Sequence, residues 1–458
     1  MSVRGNALRP CARLAALLLL PSSSLFGQPE TWTIEVVGGG AWPTAAVHYS
    51  MLTHVCHSNP PSTLVHSFRD NAGWHPAPID ETTDGEIRTK SMVCENDGTL
   101  HVAYRGGMYA PYPFLGYAWR DGSAWHVEHF QTSYYPGPPS LAVGEGHVPH
   151  VAYGRMMGTQ VLLHAWRPAA GWQFELVAEL LAGEPDIALD DSGHVHAAYS
   201  ESGDFSEVLV YGVKGASGWT SDSLDVDTDI LGALAPSLAL DAGGDPHISY
   251  VRTDDQTLWY AWKSGRGWSF EAVSQVGSGL SVSSLRVDQN GIAHIAWWDE
   301  GADAVMYACR APSGWAIAPV SPDAGGVQDI CLALDPYANP RIAYDDATTG
   351  VVRLARMGLS LWVSGYPASY ELSWSPASGT TAFWIYGVAN SPFFEPGVDP
   401  PYDHRIAVLG PGTSTWSATL GMGSEDNYTY RVLALDVNSQ EIARSRPAGE
   451  FDFLTQLP

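Results

Sequence analysis

The chain has 458 residues, enough for two to four domains and a large core, and a formal net charge of −26. So acidic a chain is a poor partner for nucleic acid or for anionic membrane surfaces, and it favours solubility. Charged residues are sparse at 16% while Trp (18), Tyr (21) and Gly (47) are plentiful, which excludes a disordered chain and fits a repetitive all-β one.

Residues 1–27 read as a secretory signal. Arg4, Arg9 and Arg13 make a basic start, an apolar run follows from Leu14 to Phe26, and a cleavage point falls near Gly27. The run is too short to span a bilayer and no later stretch is long enough. The sequence therefore predicts a secreted or cell-surface protein without membrane insertion.

From residue 28 to residue 357 the chain repeats. The clearest copy is 236–273, PSLALDAGGDPHISYVRTDDQTLWYAWKSGRGWSFEAV. Aromatic and β-branched residues fill four short runs, and Gly, Asp and Pro sit between them, which predicts a four-stranded antiparallel meander. A Gly-Trp or its equivalent opens the fourth strand at Trp74, Trp125, Trp172, Trp219, Trp268 and Trp315. A basic residue opens the second strand at His54, His101, His150, His196, His247, His294 and Arg341. The spacings reach 51 residues and are mostly 47. A four-stranded unit with this period is the sequence signature of a β-propeller.

Seven basic residues stand against six of those Trp. The last unit, 329–357, lacks a fourth strand, and residues 31–37, TWTIEVV, match GWSFEAV of the fifth unit. The expectation is a seven-bladed β-propeller closed by its N-terminal strand, because an unpaired edge would expose a row of backbone donors and acceptors. Direction along the strands puts first-to-second and third-to-fourth turns on one face. Second-to-third turns and the connections between units lie on the other, whose loops vary in length and chemistry.

The repeat resembles that of secreted bacterial β-propeller proteins over roughly 31–357. The resemblance implies the fold and says little about activity. The Asp box of sialidase-type propellers is replaced here by D-x-x-G-x-x-H, so their active-site residues do not carry over.

Several residues invite a mechanism. The repeated His are spread one per unit, about 10 Å or more apart by strand spacing, so one ion cannot collect them. Glu95, Asp190, Asp241, Asp288 and Asp335 each precede the basic residue by six, across one turn, which suggests a structural pair. Gly144 and His48 take that place in units three and one. Asp225, Asp227 and Asp229 resemble the start of a calcium loop, but Ile230 stands where a Gly is needed, so calcium is a minor alternative to a solvated loop. Asp254-Asp255, Asp299-Glu300 and Asp345-Asp346 make the variable face acidic and can be read as turn residues or as paired carboxylates for glycoside hydrolysis. No metal or catalytic constellation stands out.

Aromatic residues on that face are the more unusual feature. Tyr109, Tyr112 and Phe114 lie on a long insertion in unit two, and Tyr134 and Tyr135 lie on the next connection. They either order the loop by packing together or offer flat rings with polar tips to a sugar or a protein. The four cysteines after the leader, Cys56, Cys94, Cys309 and Cys331, permit two disulfides. Cys56–Cys94 and Cys309–Cys331 join neighbouring units, and free buried thiols are the alternative.

From 358 to 458 the repeat stops. About seven short apolar runs follow, including ELSWSP (371–376), FWIYGV (383–388) and YTYRVLALD (428–436). They resemble a fibronectin type III β-sandwich, with Tyr428 as the tyrosine-corner residue. The expected role is non-catalytic binding of a glycan or extracellular protein through the variable face, with Tyr109, Tyr112, Phe114, Tyr134 and Tyr135 as the ligand-binding residues and no cofactor. The alternatives are a carbohydrate-active hydrolase or lyase and a structural part of a surface assembly.

Overall fold

The computed structural model describes residues 32–357 apart from the loop segments 49–51, 60–61, 71–72, 82–86, 108–112, 123, 131–134, 158, 180, 203–205, 228–234, 253, 266, 278–281, 312–313, 323 and 337. Beyond them it describes 361–364, 370–374, 382–389, 405–410, 415–418, 428–435, 441–444 and 448–449. The predicted leader and Tyr109, Tyr112, Tyr134 and Asp229 lie outside the described residues, as does the side chain of Tyr428.

Every described element is a strand. Up to residue 357 the strands form seven four-stranded antiparallel sheets, numbered here in chain order. Sheets one to six span 41–81, 88–130, 140–179, 181–227, 237–275 and 283–322. Sheet seven takes Ile330–Leu334, Pro340–Asp346 and Val351–Met357, and its fourth strand is the N-terminal Trp32–Gly39. The pairing is antiparallel, with Trp32 opposite Met357 and Val36 opposite Arg353.

The position of each strand explains its composition. The second strand Pro246–Arg252 is buried at six of seven positions, whereas the fourth strand Gly267–Gln275 is mostly exposed or half-buried. An inner strand is covered on both faces by neighbouring sheets, so its apolar run is nearly continuous. An outer strand has solvent beside it and alternates.

The cores lie between sheets. Ala239, Val251 and Tyr260 of sheet five pack on Leu285, Ile295 and Ala308 of sheet six. Such a cluster joins each sheet to the next, and Val37 and Leu354 of sheet seven pack on Ala45 and Val55 of sheet one. First strands touch in chain order, and that of sheet seven touches that of sheet one.

Two side-chain systems recur around this arrangement. The inner one uses a small side chain on the first strand of sheets three to seven to accept an N–H of the next sheet's first strand. Ser140 Oγ accepts from Ile187 N (3.2 Å), Asp186 from Leu238 N (2.8 Å), Ser237 from Leu285 N (3.1 Å) and Ser284 from Leu332 N (3.0 Å). Cys331 takes the same place, with Sγ 3.3 Å from Ala45 N of sheet one.

This corrects the disulfide expectation: all four described cysteines are free. Cys331 serves the inner belt where other sheets have Ser, and Cys56 Sγ faces Met92 Sδ at 3.4 Å. Burial pushes the Cys56 thiol well up and the Cys94 thiol up to about 12, so neither is a ready nucleophile for exchange.

The outer system joins the fourth strand of one sheet to the third and fourth of the next. Glu128 of sheet two accepts from Arg167 Nε (2.7 Å) and Trp172 Nε1 (3.3 Å) of sheet three. Glu175 likewise holds Lys214 and Trp219, Asp222 holds Lys263 and Trp268, and Glu271 holds Arg310. The cations also lie over rings of the preceding sheet: Lys214 is 4.3 Å from the Trp166 ring centroid, and Arg310 is 4.3 Å from that of Trp262.

The strands beyond residue 357 form two further sheets. Leu361–Ser364, Tyr370–Trp374 and Thr415–Ala418 make a three-stranded one. Arg405–Leu409, Ala382–Ala389, Tyr428–Leu435 and Glu441–Arg444 lie side by side in the other, and Ala448–Gly449 pairs with Tyr428–Leu435.

Candidate functional site

The six-residue spacing between carboxylate and basic residue does bring the two together, but only once as a hydrogen bond. His101 Nε2 is 2.6 Å from Glu95 Oε2. The corresponding distances are 3.5 Å at Asp190–His196, 3.7 Å at Asp241–His247, 3.8 Å at Asp288–His294 and 3.6 Å at Asp335–Arg341. Each of these Asp caps its own turn instead: Asp241 Oδ1 accepts from Gly243 N and Asp245 N, and Asp288 Oδ1 from Asn290 N and Ile292 N.

The imidazoles bind a partner that the sequence reading missed. His101, His196, His247 and His294 present Nδ1 to the hydroxyls of Tyr117, Tyr211, Tyr260 and Tyr307 at 2.5–2.6 Å. The signal was the Tyr two places before the end of the third-strand motif, as in Tyr260-Ala261-Trp262. Across an antiparallel pair that residue lies diagonal to the His, within reach of a long side chain. Sheets one and three use His–His pairs, His54 with His66 (2.9 Å) and His150 with His164 (3.0 Å). The repeated His are thus scaffold.

On the variable-loop face the structure describes two of the five expected aromatics. Tyr135 is 61% exposed on the connection into sheet three, beside the bridge from Pro136 to Arg155. Phe114 closes the long insertion, and its ring lies over Gly106 directly across the strand pair. A Cβ on Gly106 would come within 2.5 Å of that ring, so only Gly admits it.

Phe114 stacks on His129, with centroids 4.1 Å apart and planes at 30°. His129 Nε2 is 2.8 Å from Asp80 Oδ2, and the Tyr104 hydroxyl donates to the same oxygen at 2.5 Å. Asp80 belongs to sheet one and the other three to sheet two, so the group straddles a junction. Burial alone would raise the Asp80 carboxyl, but the bonds from His129 and Tyr104 outweigh it and hold it below the usual range. The His129 side chain remains 44% exposed. A flat ring pair beside a fixed acceptor suits a ligand with an apolar face and hydroxyl donors.

Trp42 and Arg88, not singled out in the sequence, add to the same face. Trp42 has φ +50°, in the left-handed region that favours Gly, and its N–H donates to Asp345 Oδ2 at 3.2 Å. The Arg88 guanidinium lies 4.7 Å from the Trp42 ring centroid.

The acidic pairs of this face have structural work. Asp345 accepts from Gln328 N (2.8 Å) and Asp329 N (3.0 Å), Asp346 holds Arg353 and Thr349 N, and Asp299 accepts from Ala302 N. Asp254 pairs with Arg252 at 2.7 Å, and Asp255 caps Thr257 N. Asp225, from the calcium-like run, receives the Tyr250 hydroxyl at 2.7 Å.

The first strands also enclose a cavity of about 440 Å³, lined by Ser91, Asp186, Ser237, Ser284 and Arg286 among apolar residues. Asp186, one of three acids in its wall with Glu184 and Asp329, accepts from Ser140 Oγ (2.5 Å), Ser237 Oγ (3.3 Å) and Leu238 N. Its oxygens serve the inner belt.

No protein-family model matches the chain, and no curated protein matches it. Solved structures do. AofleA from Arthrobotrys oligospora is 12% identical with a TM-score of 0.45, over 66% of this chain and 92% of its own. The SapL1 lectin, solved with α-methyl fucoside, is 15% identical with a TM-score of 0.44, over 62% of this chain and 96% of its own. A fungal alcohol oxidase of the AA5 family, solved with copper, is 11% identical with a TM-score of 0.47, over 92% of this chain and 98% of its own.

Proposed function

We propose that the chain is an exported, non-catalytic glycan-binding protein: a seven-bladed β-propeller over 28–357, followed by a fibronectin type III-like sandwich over 358–458. The leader-like residues 1–27 support export. The inter-sheet cores and the contact of the seventh first strand with the first support the blade count. The two sheets after residue 357 support a separate sandwich.

The observation that carries the binding role is the junction of sheets one and two, where Phe114 stacks on His129 beside the fixed Asp80 carboxylate. Stacking on a sugar ring and accepting from its hydroxyls need these two elements side by side. The aromatic insertion 105–114, which carries Tyr109 and Tyr112 in sequence, ends at this place. Tyr135, with Tyr134, would extend it along the next connection. The acidic pairs of this face are engaged in turns or with Arg, which favours binding over glycoside cleavage.

A glycan array probed with the secreted chain tests this. Binding to a defined glycan class is expected, and Tyr112→Ala with Phe114→Ala should remove it with little change in Tm. A blank array, or binding that survives both substitutions, overturns the reading.

A further inference from the structure

The turn that opens sheet three departs from the repeat. Gly144 replaces the usual carboxylate, and His147 occupies the position held by Gly98, Gly193, Gly244 and Gly291 in sheets two, four, five and six and by Ala338, at φ +60°, in sheet seven. Those glycines have φ between 76° and 88°, and His147 follows them with φ +61°. A side chain in this region costs about 1 kcal/mol relative to Gly. The ring is more than half exposed, so core packing does not account for the cost. Backbone strain held at such a place directs attention to what the side chain reaches.

It reaches sheet two. His147 Nδ1 is 2.5 Å from Glu95 Oε2, and the same oxygen is 2.6 Å from His101 Nε2. The two imidazoles are stacked, with centroids 6.3 Å apart and planes at 19°. The three donor atoms lie within 4.8 Å of one another, and among the described residues no other group of three His, Cys, Asp or Glu meets this limit. Sheet two also carries Glu where sheets four to seven carry Asp, which adds one methylene of reach.

We propose that Glu95, His101 and His147 form a zinc site that staples sheet two to sheet three. Two imidazole nitrogens and one carboxylate oxygen suit Zn²⁺, whereas Ca²⁺ and Mg²⁺ take oxygen sets. Ligands about 2.0–2.2 Å from a tetrahedral zinc are spaced about 3.3 Å apart. The present spacing opens to that by small rotations of the exposed His147 and half-buried Glu95 side chains. Solvent has access to a fourth position beside His147.

The far nitrogens are already oriented for this role. His101 Nδ1 faces the Tyr117 hydroxyl at 2.6 Å, and His147 Nε2 faces Asp97 Oδ2 at 3.8 Å. Zinc would displace the protons that His101 Nε2 and His147 Nδ1 now present to Glu95, leaving the ring protons on the far nitrogens toward Tyr117 and Asp97, as outer partners of zinc ligands require.

The test uses the full exported chain, free of any affinity tag, stripped with a chelator and titrated with ZnCl₂ by calorimetry and by thermal melting. One tight equivalent and a raised Tm are expected. His147→Gly restores the residue of sheets two, four, five and six and relieves the strain, so it folds at least as well as the parent. It should weaken zinc binding more than about tenfold and abolish the rise in Tm. Glu95→Asp, the residue of sheets four to seven, should do the same. Absence of tight zinc uptake by the parent, or unchanged uptake and Tm shift in His147→Gly, overturns the proposal.

Discussion

Trp32 lies edge-on to Tyr307, with ring centroids 5.5 Å apart and planes at 75°. Trp268 meets Tyr211 at 5.1 Å and Trp315 meets Tyr260 at 5.2 Å in the same way. The Trp that begins the first described strand is therefore the counterpart, in sheet seven, of the Gly-Trp tryptophans. Contact with the preceding sheet explains why that residue recurs: each sheet needs a large ring where its outer strand crosses the gap to its neighbour.

Trp32→Ala should lower stability by about 2–3 kcal/mol, less than for a fully buried Trp because the ring is half-buried. Removal of 28–39 should do far more, since it strips the partner from Val351–Met357 and opens an edge. Thermal melting with light scattering measures both. A truncated chain that melts like the parent would contradict the role given to this strand.

Glu35 joins three strands. It accepts from Arg69 of sheet one at 2.5 Å and from the buried Arg356 of its own sheet. Burial pulls the Arg356 guanidinium down to about 10, so it is still charged at neutral pH. Glu35→Gln removes the carboxylate from a buried cation and should cost about 3 kcal/mol in denaturant unfolding. Glu35→Ala with Arg356→Met should recover part of the loss.

Denatured without reductant, the exported chain should titrate with four thiols, from Cys56, Cys94, Cys309 and Cys331. Cys331→Ser substitutes the residue that other sheets use to accept the next N–H, so Tm should change little. Cys331→Val keeps the bulk but leaves Ala45 N without its acceptor, and should cost about 1–3 kcal/mol. Equal effects of the two would remove the case for an inner belt.

Acid should weaken the fold well above the carboxylate range. Burial lowers the His66 pKa to about 3 and the His150 pKa to about 4, against 6.5 in the free residue. The unfolded chain thus binds more protons than the folded one below about pH 6.5, and stability falls with pH there. It is full above that value and drains away as pH drops toward 4 and then 3. Melting temperature followed from pH 7.5 to 4 should show the decline beginning near 6.5, and ring NMR shifts should show His66 and His150 neutral at pH 5.

Short-range pattern was enough to read the strands. Period-two runs, Gly-Asp turns and a repeat of mostly 47 residues revealed the sheets. The unequal count of tryptophans and basic residues pointed to residues 31–37 as the missing strand of the unit 329–357, because each repeat is one unit of local pairing whose absence leaves a countable gap. The strand found there is Trp32–Gly39. The face on which Phe114 lies followed from strand direction alone.

What required the tertiary structure was everything that passes between sheets. Cys331 could not be told from a disulfide half until Ala45 N stood 3.3 Å away, and the partners of Asp80 and Glu128 sit on adjoining sheets. His147 is an ordinary turn residue in sequence, and only the angle between sheets two and three sets it against Glu95 and His101. Sequence periodicity records what a residue meets within its own meander. The packing of one twisted sheet on the next is fixed by the shapes of all the side chains between them, and that information is not local to any stretch of chain.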